Sequence, residues 1–397
     1  MDKIIKSNKD SLNQKWIKAS VLGSVWAASE IVLGSFLHNI RMPFSGNVLV
    51  GIAMILLISA SHLWKEKGVI WRSGLIAALL KTMSPSAIIF TPMIAIFTEG
   101  ILLEIMVRVF NRKKIGYYIG AALAMSWNLV QKVIMMVFFY GMNLVKVYEK
   151  LMYSAQKQLH WDFDIVWVPL FVMLIIYVFL GLLSAYYGIK IGKRLLDKNY
   201  HPEFIKLNSS KINSVKEKQK DFNYSTFWLV LNITLPISLM ILKNYIHFYL
   251  WIGLVVLLVA IWAIKYKRAF RQVVKPKFWI WFVAITMLTS ILFSNLQDTE
   301  NGIQEGIKIG ITMNLRAILL IVSLTVFGIE LYNPKIRKHL QKGKFKQLSL
   351  AIQLSLESLP NIMANMPNFK TMIKSPNIVF YQLIWQANEK LKTLINK

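Results

Sequence analysis

Residues 196–223 read LDKNYHPEFIKLNSSKINSVKEKQKDFN. This is a long run without an apolar core segment, and in it lysine outnumbers the acidic residues. The sequence on its two sides differs in character. We interpret the run as a basic cytoplasmic linker between two membrane modules, residues 1–195 and 224–397. The alternative is a long cytoplasmic loop within one continuous helix bundle.

The composition indicates a polytopic membrane protein. Of 397 residues, 55% are apolar and only 17% are charged, which is too hydrophobic for an ordinary soluble domain. The net charge of +28 would suggest nucleic acid as a partner of a soluble protein. Here most basic residues lie between apolar runs, so orientation in a membrane explains them and we expect no nucleic-acid partner. The absence of cysteine excludes disulfides and thiolate metal sites.

Apolar runs mark the expected membrane spans, since about 20 helical residues cross the hydrocarbon core. The first module has six, at residues 17–38, 47–64, 69–82, 87–109, 116–141 and 165–192, and the second has four, at 224–242, 246–264, 277–294 and 309–328. Lysine and arginine collect in alternate connections, as they do on the cytoplasmic side of a membrane. We therefore expect a protein of the cytoplasmic membrane whose two termini lie on the cytoplasmic side. We therefore predict an all-α protein with about ten transmembrane helices.

The C-terminal region, residues 334–395, is basic but carries a helical period of apolar residues. Leu348, Ile352, Leu356 and Leu359 share one face of a helix, and Ile378, Tyr381 and Trp385 share another. We expect two or three cytoplasmic amphipathic helices here. They are either a membrane-surface tail or a docking surface for a soluble partner.

Ionisable residues inside spans are the candidate functional residues, because an unpaired charge in lipid is costly and usually faces the protein interior. In the first module these are Glu30, Glu99 and Lys132. Asn128, Gln131 and Lys132 lie at i, i+3 and i+4 on one helix face, next to Trp127. We predict that these residues converge in the outer half of the module. They form either a solute pocket or a structural ion pair of Lys132 with Glu30 or Glu99.

The first outer connection, HNIRMPFSGN at residues 38–47, contains several hydrogen-bonding groups. It either caps a cavity and contacts a ligand through Asn39, Arg41, Phe44 and Asn47 or forms an ordinary turn. No Walker A, His-Glu-x-x-His or Gly-x-Ser-x-Gly pattern occurs. We therefore predict no catalytic residues, no cofactor and no metal site.

Small residues recur every four positions along the first helix, at Ala19, Gly23 and Ala27. This spacing lets another helix backbone approach closely, which favours helix association in lipid. The stripe predicts a helix-packing face, either within the first module or between the two modules.

With these features the first module resembles the substrate-binding S component of energy-coupling factor (ECF) transporters. That family has six spans, a small-residue stripe on the first helix, and a substrate site under the first loop in the outer half. The resemblance implies that Ala19, Gly23 and Ala27 pack against a transmembrane T component. It also implies that Asn39, Arg41, Asn128, Gln131 and Lys132 lie in the substrate neighbourhood.

The second module resembles the T component itself. The stretch GITMNLRAILLIVSLTVFGIELYNPKIRKHLQKGKFKQLSLAIQLSLESLPNIM, residues 310–363, follows that family's pattern of a membrane helix, an Asn-Pro step and an amphipathic helix ending in proline. The residues that the resemblance assigns to coupling are Arg316, Asn333, Pro334, Glu357 and Pro360. The family's short Ala-Arg-Gly motifs are absent from this chain, and Lys370, Lys374 and Lys390 are candidate substitutes.

The resemblance implies the membrane subunit of an importer for a small cofactor-like solute, a vitamin or a metal-containing molecule. ATP-binding-cassette (ABC) ATPase subunits would be its partners in trans. The charge of Lys132 and Arg41 would suit a carboxylate or phosphate on the solute. Two alternatives from other classes are a polytopic membrane scaffold and an integral-membrane enzyme acting on lipid-linked substrates.

Overall fold

The computed structural model describes residues 13–81, 90–160, 165–197, 199–200, 225–266, 276–294, 302–330, 346–367 and 369–395. Helices account for nearly all of them, and strands are absent from these ranges. The helices are α1 (Gln14–Asn39), α2 (Ser45–Leu63), α3 (Val69–Leu80), α4 (Phe90–Val109), α5 (Lys114–Tyr140), α6 (Asn143–Leu159), α7 (Val168–Leu196), α8 (Thr226–Leu242), α9 (Phe248–Lys265), α10 (Pro276–Ser294), α11 (Gly302–Glu330), α12 (Lys346–Ala364), α13 (Phe369–Lys374) and α14 (Pro376–Ile395).

The predicted spans coincide with ten of these helices, with small shifts at their ends. α11 differs most, because it begins at Gly302 rather than at 309. The connection between the predicted spans 116–141 and 165–192 contains a further helix, α6, that the apolar runs do not predict. Its Val147 packs with Met313 of α11, so an amphipathic pattern hides a real helix within a lysine-bearing segment. Most of the predicted linker at 196–223 lies outside the described residues.

The first module is a closed ring of six helices. Around it the packing order is α1, α3, α4, α5, α7, α2 and back to α1. Serines tighten the ring where helices meet, as when Ser59 Oγ of α2 donates to Gly188 O of α7 at 3.1 Å. Because consecutive spans run antiparallel, α1 ends at the same end of the ring at which α2 begins. We call the connection between α1 and α2 loop 1, and this end of the ring the loop-1 end.

In the second module α11 is the central helix, and α8, α9 and α10 pack around it. Its core consists of large apolar side chains from α9 and α11, including Trp251, Trp262 and Val322. The surfaces of α8 and α9 that face away from this core are also apolar, with Phe227 68% and Ile264 78% exposed. An apolar exterior of this kind is expected where lipid, rather than water, surrounds the helices.

Among the described residues, six helices are long and apolar enough to cross a membrane: α1, α2, α5, α7, α9 and α11. α3, α8 and part of α10 are shorter apolar helices. The length and composition of these helices indicate a helical membrane protein. The expectation of ten spans is a finer statement, and it stays a prediction.

The C-terminal helices pack on the first module. α12 lies along α1 and also contacts α3, while α14 contacts α1, α2 and α7. Their apolar residues join the core of the first module, with Ala351 and Ile384 fully buried. On α14 the buried face includes Tyr381 of the predicted set together with Val379, Leu383 and Ile384, whereas Trp385 is 39% exposed. The buried face is therefore centred to one side of the predicted one. As a result α1 is enclosed on several sides, and 83% of the residues in its 18-residue apolar stretch are buried.

Candidate functional site

A cluster of polar side chains joins α2, α5 and α7 near the loop-1 end of the ring; its Asn47, Asn128 and Tyr177 are buried, and its lysine is exposed. Asn128 Nδ2 of α5 donates to Asn47 Oδ1 of α2 at 2.9 Å. Lys132 Nζ, one helical turn further along α5, lies 3.3 Å from the same oxygen and 3.5 Å from Tyr177 Oη of α7. We call Asn47, Asn128, Lys132 and Tyr177 the amide–lysine cluster. The i, i+4 spacing of Asn128 and Lys132 lets both reach the single oxygen of Asn47.

One buried polar atom of this cluster and some buried polar atoms of α4 and α5 lack hydrogen-bond partners among the described residues. They are Asn47 Nδ2, Thr91 Oγ1, Trp127 Nε1 and Gln131 Oε1. Gln131 also donates from Nε2 to Thr91 O at 2.8 Å, which joins α5 to α4. Buried polar groups are nearly always hydrogen-bonded, so a concentration of unsatisfied ones suggests a place for a ligand or for water.

Loop 1 lies next to this cluster. A methyl group built on Gly46 would lie 3.5 Å from Asn128 Nδ2 and 4.0 Å from Lys132 Nζ. Asn39 and Arg41 of the same loop are exposed, and Arg41 has a positive φ of 54°. The structure therefore brings Asn47 into the cluster, whereas Asn39 and Arg41 stay outside it.

Glu30 has a different partner from the one expected. Lys81 Nζ lies 3.1 Å from Glu30 Oε2 and also 3.1 Å from Glu30 O, and both side chains are 8% exposed. Of the two alternatives for Lys132, the ion pair with Glu30 or Glu99 is not formed among the described residues. Lys132 has no carboxylate partner in the described part of the chain. Glu99, on α4, is 2% exposed, and its Oε2 has no hydrogen-bond partner among the described residues.

The small-residue stripe on α1 divides its contacts between two neighbours. Ala19, Gly23 and Ala27 are buried, and a methyl group on Gly23 would lie 2.9 Å from Ser73 O and from Ile76 Cβ of α3. Gly23 therefore packs within the first module. The contact with α12 is made one position further on, where Ser355 Oγ donates to Ser20 O at 3.1 Å.

The residues expected in coupling lie in different places. Arg316 donates from Nε to Phe138 O at the end of α5, at 3.2 Å, so it links the two modules and does not contact the amphipathic helices. Asn333 and Pro334 lie outside the described residues. Glu357 and Pro360 are both exposed on α12. The helix was expected to end at Pro360, but it continues to Ala364.

A second polar network, in the second module, was missed by the sequence reasoning. Tyr266 Oη donates to Glu330 Oε1 at 2.7 Å and accepts from Asn232 Nδ2 at 3.2 Å. Trp262 Nε1 donates to Asn232 Oδ1 at 2.9 Å, and Ser225 N donates to Glu330 Oε2 at 3.2 Å. Glu330, at the end of the last apolar run, was the signal that could have revealed it. The network ties α8, α9 and α11 together.

The chemistry of the amide–lysine cluster is that of binding. Its donors include the ammonium of Lys132 and the unsatisfied Asn47 Nδ2, which can donate to anionic or carbonyl oxygens. Within the described ranges no group of three or more His, Cys, Asp or Glu side chains is placed to hold a metal ion.

Comparison with known proteins gives no relative. No protein-family model matches the chain, and neither a curated protein nor a solved structure is significantly similar to it.

Proposed function

We propose that this protein is the membrane subunit of an ECF-type importer, with an S-component-like first module and a T-component-like second module in one chain. ABC-type ATPases in trans would supply the energy. The solute would be a small cofactor-like molecule, a vitamin or a metal-containing compound, and the protein would lie in the cytoplasmic membrane with both termini inside.

The observation that carries the proposal is the alignment of α12 and α13 with α1. Gln347 accepts from Asn13 N at 2.9 Å, Ser358 contacts Ser24, and the ring of Phe369 lies 5.8 Å from that of Phe36. In an importer of this kind, amphipathic helices of the T module hold the first helix of the S module. The close pairing of α1 with α12 supports such a contact in this chain.

The amide–lysine cluster is the proposed solute site. Lys132 has no carboxylate partner among the described residues, while Asn47 Nδ2 and Trp127 Nε1 are unsatisfied donors. An anionic oxygen of the solute would supply the missing acceptors, since charge-assisted hydrogen bonds are stronger than neutral ones. This chemistry favours a solute that carries a carboxylate or a phosphate.

A pull-down from native membranes tests the proposal. Tagged protein would be solubilised in detergent and its partners identified by mass spectrometry. Deleting the chain after Leu331 would also uncover α1, so a point variant on the exposed side of α12, Glu357→Arg, is the sharper probe. Lys157→Glu, on the exposed side of α6, is the matched charge-change control.

We expect ABC ATPases to co-purify with the wild type and with Lys157→Glu, and to be lost or reduced with Glu357→Arg. If no ATPase accompanies any of the three proteins, the importer proposal fails. If the ATPases accompany all three, Glu357 is not part of the contact.

A further inference from the structure

A cavity lies between α3 and α4, at the end of the ring opposite loop 1. It has a volume of about 250 Å³ and is lined by Trp71, Ile101, Glu104, Ile105 and Arg108. None of these residues belongs to the amide–lysine cluster or to the contact with α12 described above. The cavity therefore calls for its own explanation.

Three nitrogen donors meet beside Gly68: those of Trp71 and Arg108, which line the cavity, and that of Arg72, which adjoins them. Gly68, which precedes α3, has a φ of 95° and no side chain. A methyl group built there would clash with Arg72 Nη1 and would lie 3.2 Å from Trp71 Nε1 and 3.3 Å from Arg108 Nη2. Two guanidinium groups and an indole N–H thus converge because residue 68 is a glycine.

The charge beside Gly68 is not balanced within the described residues. Glu104 is engaged by three donors: Gly68 N at 2.7 Å, Ile70 N at 3.1 Å and Arg108 Nε at 2.6 Å. It pairs with the guanidinium of Arg108. Arg72 donates from Nη1 to Gly68 O at 3.0 Å but has no ion pair with a carboxylate in the described ranges. Arg72 Nε is buried and lacks an acceptor there. A single negative charge would complete the arrangement.

The position of Arg72 is fixed by aromatic rings. Its guanidinium carbon lies 5.0 Å from the ring centroid of Trp16 and 4.6 Å from that of Trp71, and the two indoles pack edge to face at 6.2 Å. Arginine stacked on aromatic faces keeps its planar edge available for an oxyanion. Tryptophan is enriched at the level of lipid headgroups, where its ring is apolar and its N–H is polar.

The other side of the cavity is aliphatic. Ile101 and Ile105 extend along α4 away from the arginines, and Ile105 is 43% exposed. A ligand that has an anionic oxygen at one end and hydrocarbon next to it would satisfy both sides. A small inorganic anion would satisfy only the first.

We propose that this cavity binds the phosphate of an anionic phospholipid, with Arg72, Arg108 and Trp71 Nε1 on the phosphate oxygens and an acyl chain against Ile101 and Ile105. The site is independent of the proposed transport function. It anchors the start of α3 and the end of α4 to one leaflet of the membrane.

Thermal unfolding of the purified full-length protein in detergent tests the site. Phosphatidylglycerol, phosphatidylcholine or inorganic phosphate would be added separately. Arg72→Gln, Arg108→Gln and the milder Trp71→Phe are the test variants. Lys113→Gln removes an exposed charge just after α4 that does not line the cavity, and it is the control. Native mass spectrometry of the same samples counts retained lipid independently of stability.

Phosphatidylglycerol is expected to raise the unfolding midpoint of the wild type and of Lys113→Gln by several degrees, and that of each test variant by much less. Retained phosphatidylglycerol should fall in parallel. An equal shift with inorganic phosphate alone would assign the site to free phosphate and overturn the lipid. Equal shifts with phosphatidylcholine, or test variants that respond and retain lipid as the control does, would overturn the site.

Discussion

Ser358 Oγ donates a hydrogen bond to Ser24 Oγ at 3.2 Å, although 334 positions of the chain separate the two residues. The pairs Asn13–Gln347, Ser20–Ser355 and Phe36–Phe369 have almost the same separation in the sequence. A constant separation means that the two segments run side by side in the same direction. Small hydroxyl side chains let the helices α1 and α12 approach and hydrogen-bond to each other.

Cysteine cross-linking checks this parallel register, and the chain has no cysteine of its own to interfere. We expect a short bifunctional thiol reagent to join Asn13→Cys to Gln347→Cys, and Phe36→Cys to Phe369→Cys. Each pair is in direct contact at one end of the aligned segments. Mobility on a denaturing gel, with and without reagent, reports the cross-link.

The combination Asn13→Cys with Phe369→Cys is the matched control for this experiment. Residues 13 and 36 lie about 35 Å apart along α1, given a rise of 1.5 Å per residue, so this pair should not react. Cross-linking of the control pair in preference to the other two would mean that α12 runs antiparallel to α1.

The pair of Lys81 and Glu30 makes a prediction about stability. Lys81→Met would leave the carboxylate of Glu30 buried without its partner, and breaking a buried pair in this way costs about 3–5 kcal/mol. The double variant Lys81→Met with Glu30→Gln removes both charges and should recover most of that loss. Thermal unfolding in detergent measures both. A double variant as unstable as the single one would show that the pair is not what stabilises this part of the ring.

The amide–lysine cluster makes a prediction about solute binding. Lys132→Met keeps the length of the side chain but removes its charge, so uptake and binding of an anionic solute should fall at least about tenfold, equivalent to 1.4 kcal/mol. Lys157→Met on α6 removes an equally exposed charge outside the ring and should have no effect. Unchanged uptake in Lys132→Met cells would remove this residue from the solute site.

Much of the helix framework could be predicted from sequence, because long apolar runs bounded by basic residues determine where a membrane helix lies. α6 was missed since its lysines mask the apolar face that packs on Met313. The start of α11 was placed too late since residues before 309 are polar yet helical. A hydropathy pattern detects helical segments that face lipid. It does not detect polar or lysine-bearing helical segments such as α6 and the first turns of α11.

The candidate site was predicted in part. The spacing of Asn128 and Lys132 correctly placed them on one face, and both contact Asn47. The pairing of side chains from different helices was harder to predict from the sequence, since Lys81 and not Lys132 forms the ion pair with Glu30. Sequence indicates which residues need a partner, but the choice between two lysines depends on the order of helices around the ring.

The hydrogen-bond network around Glu330 predicts that the stability of the second module depends on the hydroxyl of Tyr266. Tyr266→Phe would leave Glu330 Oε1 and Asn232 Nδ2 without the partner that they share, at a cost of about 1–3 kcal/mol. Tyr249→Phe, at an exposed tyrosine on α9, is the control and should be neutral. The thermal unfolding midpoints of the two variants and the wild type test this prediction. A Tyr266→Phe midpoint equal to that of the wild type would show that water replaces the hydroxyl.

The loop between α2 and α3 predicts a dependence of stability on pH. Burial alone would raise the pKa of Glu66, but a hydrogen bond from Lys18 and the charges of Lys18 and Arg112 outweigh it, so the pKa lies below its ordinary value of 4.5. The Lys18–Glu66 pair therefore stabilises the folded protein fully above pH 4.5, and this contribution is lost as the pH falls through the lowered pKa. Because Glu66 is partly exposed, we expect about 1 kcal/mol or less. Wild type should unfold at a higher temperature than Glu66→Gln at pH 7, and the difference should disappear on acidification. A difference that stays constant with pH would mean that packing, not charge, holds this loop against α1.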